Sequence, residues 1–153
     1  MDLNSLFDWL NNWFVDDGSD YAISITDTDG MTFAEDTKTI TADFSDSDLL
    51  AEMYVRVTGT LLNNGAYKLT AVTDTVITVE QELLDESACT TAQVDYMAVP
   101  RGVRSVIGSI EGATSQDNVS AETQGSRSIT YSGTGGSSIF AQYGSVLYQY
   151  RSL

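Results

Sequence analysis

Met53-Tyr54-Val55-Arg56-Val57-Thr58-Gly59-Thr60-Leu61-Leu62-Asn63-Asn64-Gly65-Ala66-Tyr67-Lys68-Leu69-Thr70-Ala71-Val72 is the stretch on which the fold turns. Residues 53–60 are rich in β-branched and aromatic side chains and read as a strand. Ala66 to Val72 reads as the return strand, with Tyr67 and Leu69 on one face. Between them, Asn63-Asn64-Gly65 is the strongest local signal in the chain. Asn-Gly flanked by alternating segments predicts a tight type I′ hairpin, because both residues tolerate the positive φ that this turn needs.

Further strands flank this hairpin. Tyr21 to Thr26 alternates apolar and polar residues, as a half-buried strand does, and Asp27-Thr28-Asp29-Gly30 follows as a turn. Lys38 to Ala42 is a second strand candidate, and Asp43 to Asp48 reads as an acidic loop. Thr75 to Glu80 follows the Thr73-Asp74 turn, and Gln93 to Ala98 closes the series. Short strands at this spacing predict a small antiparallel barrel or curled sheet over residues 19–98.

The two ends of the chain read as helical. Asp2 is a plausible N-cap for a stripe of Leu3, Leu6, Phe7, Leu10, Trp13 and Phe14, which Asp16-Asp17-Gly18 terminates. Pro100, the only proline, suits the first turn of a second helix with Val99, Val103, Val106, Ile107, Ile110 and Ala113 on one face. Gly102, Gly108 and Gly112 cost that helix roughly 1 kcal/mol each against Ala, so it needs packing to persist. Ser137 or Ser138 opens a last stripe of Ile139, Phe140, Tyr143, Val146, Leu147 and Tyr150. Residues 117–136, between the second and third helices, are polar and glycine-punctuated. Ordering them costs about 1–2 kcal/mol per residue, so this strap is expected to order only against another surface, partly as a strand. The fold class expected is α+β: a short helical bundle, made of the N-terminal helix and two C-terminal helices, with an inserted small antiparallel β-barrel-like module and an extended strap. The helical core would comprise residues 1–18 and 99–153, with the β-module at 19–98.

Composition narrows the function. The chain has 153 residues, 7 Lys and Arg against 22 Asp and Glu, and a net charge of −15. Such a surface repels phosphate backbones and anionic membrane faces. It suits a wall that must not hold DNA, a surface that meets a basic partner, or simply a solvated exterior; few lysines also fit a high-salt habitat. No apolar run is long enough to span a bilayer, and Asp2 and Asp8 interrupt any signal-peptide pattern, so synthesis in the cytoplasm is expected.

Candidate chemistry is sparse. There is no histidine, which removes the commonest general base and zinc ligand. Cys89 is the only cysteine and reads as a small buried hydrophobe. Asp27, Asp29, Gly30 and Asp36 fit part of an EF-hand loop, but Ile25 stands where its first ligand belongs. Solvated turn aspartates are the default; a looser divalent site would draw on Asp16, Asp17, Asp20, Asp27 or Asp29. Serines lack a base, and Gly133-Thr134-Gly135-Gly136 lacks the lysine of a phosphate loop. Asn118-Val119-Ser120 fits the N-glycosylation acceptor pattern. No catalytic residue, metal site or cofactor is assigned, and an enzyme is not expected.

The strap carries a resemblance. A proline-started helix, then Ser120-Ala121-Glu122-Thr123-Gln124-Gly125-Ser126-Arg127-Ser128-Ile129-Thr130-Tyr131, then a helix ending near Tyr150-Arg151, resembles the head-tail adaptor (connector) proteins of tailed phages. The motif covers about a third of the chain. The resemblance implies a virion protein of the neck, assembled in the host cytoplasm as a dodecameric ring beneath the portal protein. A stopper or tail-completion protein would follow on the far side, and DNA would pass through the channel without specific binding. By position, Glu122, Gly125, Ser128, Ile129 and Tyr131 would lie against the adjacent subunit. Tyr148, Tyr150, Arg151, Ser152 and Leu153 would face the portal. The chain departs from the family in its β-module and in its short, glycine-rich middle helix. Two alternatives stand beside this reading. One is another neck or tail component. The other is a virion β-module that binds a receptor or ligand through an exposed aromatic patch around Tyr54, Tyr67 and Tyr96.

Overall fold

A computed structural model describes residues 2–15, 23–109 and 143–152. The chain divides into two compact units, Trp13–Ala98 and Met1–Asn12 together with Val99–Leu153. The first is built from eight strands: β1 (Ser24–Thr26), β2 (Met31–Ala34), β3 (Thr39–Thr41), β4 (Tyr54–Thr58), β5 (Gly65–Val72), β6 (Val76–Val79), β7 (Glu86–Cys89) and β8 (Gln93–Met97). They form one sheet in the order β1-β8-β4-β5-β6-β3-β2-β7, with every neighbouring pair antiparallel. The sheet is open, and β1 and β7 are its edges.

Alternation explains which side chains meet. On the inner face Val55, Val57, Tyr67, Leu69, Ile77 and Val94 join Met31, Phe33 and Ile40 in one core, all at most 6% exposed. Such a core follows from period-two patterning, since a strand that buries one residue buries its second neighbour as well. Truncating any of the large aliphatic members to Ala is worth about 2–5 kcal/mol.

This architecture corrects the expected fold class. Among the described residues the chain is mostly an eight-stranded open antiparallel sheet with three short helices, not a helical bundle carrying an inserted barrel-like module. Two strands escaped the sequence pattern. β2 follows directly on the Asp29-Gly30 turn and buries only Met31 and Phe33 fully. β7 buries none of its residues fully. β2 is too short, at four residues, to show its alternation clearly, and β7 contributes main-chain hydrogen bonds but little apolar surface, which leaves no periodic signal.

The central hairpin is also built differently from expectation. β4 and β5 pair with Val57 opposite Gly65, and the connection spans residues 59–64 and is no two-residue turn. Positive φ falls on Gly59 (+74°) and on Gly65 (+155°), while Asn63 and Asn64 keep negative φ. At Gly59 an added Cβ would collide with the Thr91 carbonyl oxygen, so both the dihedral and the space require glycine. The asparagines act through their side chains instead. Asn64 Oδ1 accepts from the Thr60 amide and hydroxyl, both at 2.9 Å, and its Nδ2 donates to the Thr60 carbonyl at 2.8 Å.

The second unit holds α1 (Leu3–Leu10), α2 (residues 101–109) and α3 (residues 143–147), the last running into a 3-10 turn at Tyr148–Tyr150. Asp2 caps α1, accepting the Ser5 amide at 2.7 Å; that amide holds its carboxyl below the usual aspartate range. The apolar stripe continues in sequence to Phe14, but the helix stops at Leu10. Asn11 adopts the left-handed conformation (φ 49°) and donates to the Asp8 carbonyl, an αL cap that Asn tolerates better than other side chains. Trp13 and Phe14 therefore belong to the β unit, where Arg56 lies 4.4 Å over the Trp13 ring and the Ala98 amide donates to the Phe14 carbonyl. Leu6, Phe7, Leu10, Val99, Val103, Val106 and Ile107 are buried, as their spacing requires. Among the described residues no helix is long and apolar enough to cross a membrane.

Candidate protein-interaction surfaces

The chain's end is anchored within its own unit. Leu147 is fully buried, and the backbone beyond it is tied to the end of α1. The Ser152 amide donates to the Leu10 carbonyl at 2.9 Å, Asn12 Nδ2 to the Tyr150 carbonyl at 3.2 Å, and Asn11 Nδ2 to the Ser152 carbonyl at 3.4 Å. The Asn11-Asn12 pair thus ends α1 and also holds the C-terminal segment. Tyr150 packs against Gly102 of α2, where a Cβ would stand 2.8 Å from its hydroxyl.

Side chains on this anchored segment form a patch. Tyr148 is 61% exposed and meets the Trp9 ring edge-on at 5.5 Å between centroids. The Arg151 guanidinium lies 5.1 Å from the same ring, and Arg151 and Ser152 are exposed. Indole, phenol and guanidinium side chains held by stacking are the groups that dominate protein-protein contacts, since they cover much area and lose little rotamer freedom. Residues 143–152 are held by α1. Of the residues assigned to portal contact, Tyr148, Tyr150, Arg151 and Ser152 come together here, and Leu153 lies outside the described residues. The residues assigned to the adjacent subunit, Glu122, Gly125, Ser128, Ile129 and Tyr131, also lie outside them, as do Asp16, Asp17 and Asp20.

A second surface went unnoticed in the sequence. Leu61, Leu62 and Leu84 are 84%, 52% and 47% exposed, on the β4–β5 connection and the loop that leads into β7. A hydrogen-bonded clasp holds both loops. Glu86 accepts the Leu61 amide at 2.8 Å, the Leu62 amide at 3.2 Å and Asn63 Nδ2 at 3.1 Å. Asn63, 1% exposed, also donates to the Leu84 carbonyl and accepts the Leu84 amide, at 3.0 and 2.8 Å. Partial burial pushes the Glu86 carboxyl up, but the two amides, the Asn63 amide group and the Cys89 thiol outweigh it and hold the group below the usual glutamate range. Leu61-Leu62 beside Asn63-Asn64 was the available signal: two leucines in a turn have no strand face to occupy.

The remaining sequence candidates resolve into structure. Asp27 serves the backbone, accepting the Asp29 amide at 2.9 Å and the Asp43 amide at 3.0 Å. Among the described residues no group of Asp, Glu and Cys is arranged to hold a metal ion. Cys89 is half-buried beside the Gly59 carbonyl, more open than expected. Tyr54 and Tyr67 are 5% and 6% exposed, and the Tyr67 hydroxyl donates to the Asn63 carbonyl. Of the three tyrosines of the expected aromatic patch, Tyr54 and Tyr67 are thus buried and Tyr96 is half-buried.

No protein-family model, no curated protein and no solved structure matches the chain.

Proposed function

We propose that this chain is a structural virion protein, a head-tail adaptor that assembles with copies of itself into a ring under the portal of a tailed virus. It joins capsid to tail and borders the channel through which DNA leaves. The observation that supports this reading is the patch at the chain's end, where exposed Tyr148 and Arg151 lie against half-buried Trp9 of α1, on a segment fixed by Leu147 and by three hydrogen bonds to residues 10–12. The resemblance assigns this same segment to portal contact. A surface already fixed before binding loses less entropy on docking than a loose tail would. The net charge of −15 is in keeping with a channel wall, because carboxylates let phosphates slide where lysines would hold them. Copies of the chain would meet through the strap, and a stopper or tail-completion ring would follow.

The test is co-purification with the tagged portal protein of the same virus. Wild type is retained. A Tyr148→Ala/Arg151→Ala double variant, changed only at exposed side chains, is lost, and so is a chain ending at Leu147. Retention of the folded double variant at wild-type level would remove the portal-facing assignment.

A further inference from the structure

The two edges of the sheet are treated differently. β7 is covered: Thr91 and Cys89 reach the Gly59 carbonyl, and Glu86 takes the Leu61 and Leu62 amides. β1 is not. Its pairing with β8 places Ile23 opposite Tyr96, with the Tyr96 amide donating to the Ile23 carbonyl, and Ile25 opposite Val94. In an antiparallel ladder these are the hydrogen-bonded pairs, so the amides and carbonyls of Ser24 and Thr26 point away from the sheet. Among the described residues nothing bonds them.

That free edge forms one wall of an open cleft of about 840 Å³. Half-buried Ile23, Ile25, Met53 and Tyr96 supply its apolar floor, continuous with the core of the sheet. The opposite wall carries Asp43, Asp46 and Asp48, all exposed. Acidity is general on this chain, but pairing is not. Glu52, Glu80 and Glu82 of the same unit each have a lysine within 4 Å, whereas no ion pair serves these three aspartates among the described residues.

We propose that this cleft receives an extended, basic segment of a partner protein, which adds to the sheet as a ninth strand beside β1. Main-chain groups of the segment bond Ser24 and Thr26. Its alternate side chains divide between the apolar floor and the aspartate wall, so a sequence alternating Lys or Arg with Val or Ile is the matching chemistry. β1 has three residues, which limits the added strand to a short one. The assignment rests on the β unit alone and is independent of the portal reading.

The probe is an acetylated, amidated hexapeptide alternating lysine and valine, titrated into the 15N-labelled full chain. A threonine-valine hexapeptide serves as the neutral control. The expected result is saturable shifts at Ser24, Thr26 and the 43–48 loop, with an affinity that falls as salt rises. Thr26→Pro removes an outward amide that β8 does not use, a change tolerated on edge strands, and should weaken binding at least tenfold. Asp46→Asn/Asp48→Asn, changed at exposed positions only, should weaken it roughly fivefold. Equal binding of the neutral peptide, shifts that map away from β1, or wild-type affinity in both variants would each overturn the proposal. Stronger binding by a peptide of residues 125–131 would overturn it too, by making the cleft a seat for a second copy of this chain.

Discussion

At the scale of single residues, the most consequential side chain in the β unit is Asn63. It is buried, bonds the Leu84 backbone in both directions and donates to Glu86. Asn63→Ala leaves the part-buried Leu84 amide and carbonyl without their protein partner, which costs about 1–2 kcal/mol, measurable by urea unfolding. Asn63→Asp should cost a similar amount at neutral pH, because a carboxylate cannot donate to the Leu84 carbonyl and would sit against Glu86. Glu86 itself sets a pH dependence. Its folded-state carboxyl is held below its ordinary value, so the unfolded chain binds the proton more readily. The stabilisation is therefore complete above the unfolded glutamate range, about pH 4–5, and is lost as pH falls through the lower folded value. Glu86→Gln should flatten that acid limb of the stability curve. If the limb is unchanged in the variant, the clasp is not what titrates there.

At the scale of elements, α1 and the chain's end depend on one another. α1 has eight residues, too few to persist alone in water. Its apolar face is buried and its last carbonyls are engaged, the Leu10 carbonyl by Ser152. Leu147 is the side chain that holds the end in place. Leu147→Ala should cost about 2–5 kcal/mol of unit stability. It should also release the patch, seen as faster hydrogen exchange at the Arg151 and Ser152 amides. Those amides donate to the Tyr148 and Leu10 carbonyls, so their protection reports the docked segment directly. Unchanged exchange in the variant would mean that the Asn11 and Asn12 side chains suffice to anchor it.

At the scale of the whole molecule, charge dominates. A net charge of −15 on 153 residues destabilises the compact state by self-repulsion, and salt relieves it. The Debye length shrinks from about 30 Å at 0.01 M to about 3 Å at 1 M. The melting temperature should therefore rise between those limits, by several degrees in differential scanning fluorimetry. A falling or flat curve would mean that local ion pairs, such as Lys68 with Glu52, outweigh the global field.

Period-two alternation around residues 53–72, the Asp2 cap, the Pro100 start and the buried Leu6, Phe7, Leu10, Val99, Val103, Val106, Ile107 and Leu147 were legible in the chain, because each depends on neighbours within a few residues. The lack of a histidine base and the overall acidity were legible for the same reason. What needed the tertiary structure was everything set by distant partners. The register that turns Asn63-Asn64-Gly65 from a tight turn into a clasp comes from Leu84 and Glu86, more than twenty residues on. β7 is a strand only because β2 pairs with it. Sheet and helices compete for dominance through the number of long-range pairings they make, and no local pattern counts those. The cleft beside β1, the exposed leucines and the Trp9–Tyr148–Arg151 patch likewise exist only where separated segments meet. Local sequence chose the elements; the hydrogen bonds and contacts between them decided which surfaces stay open for a partner.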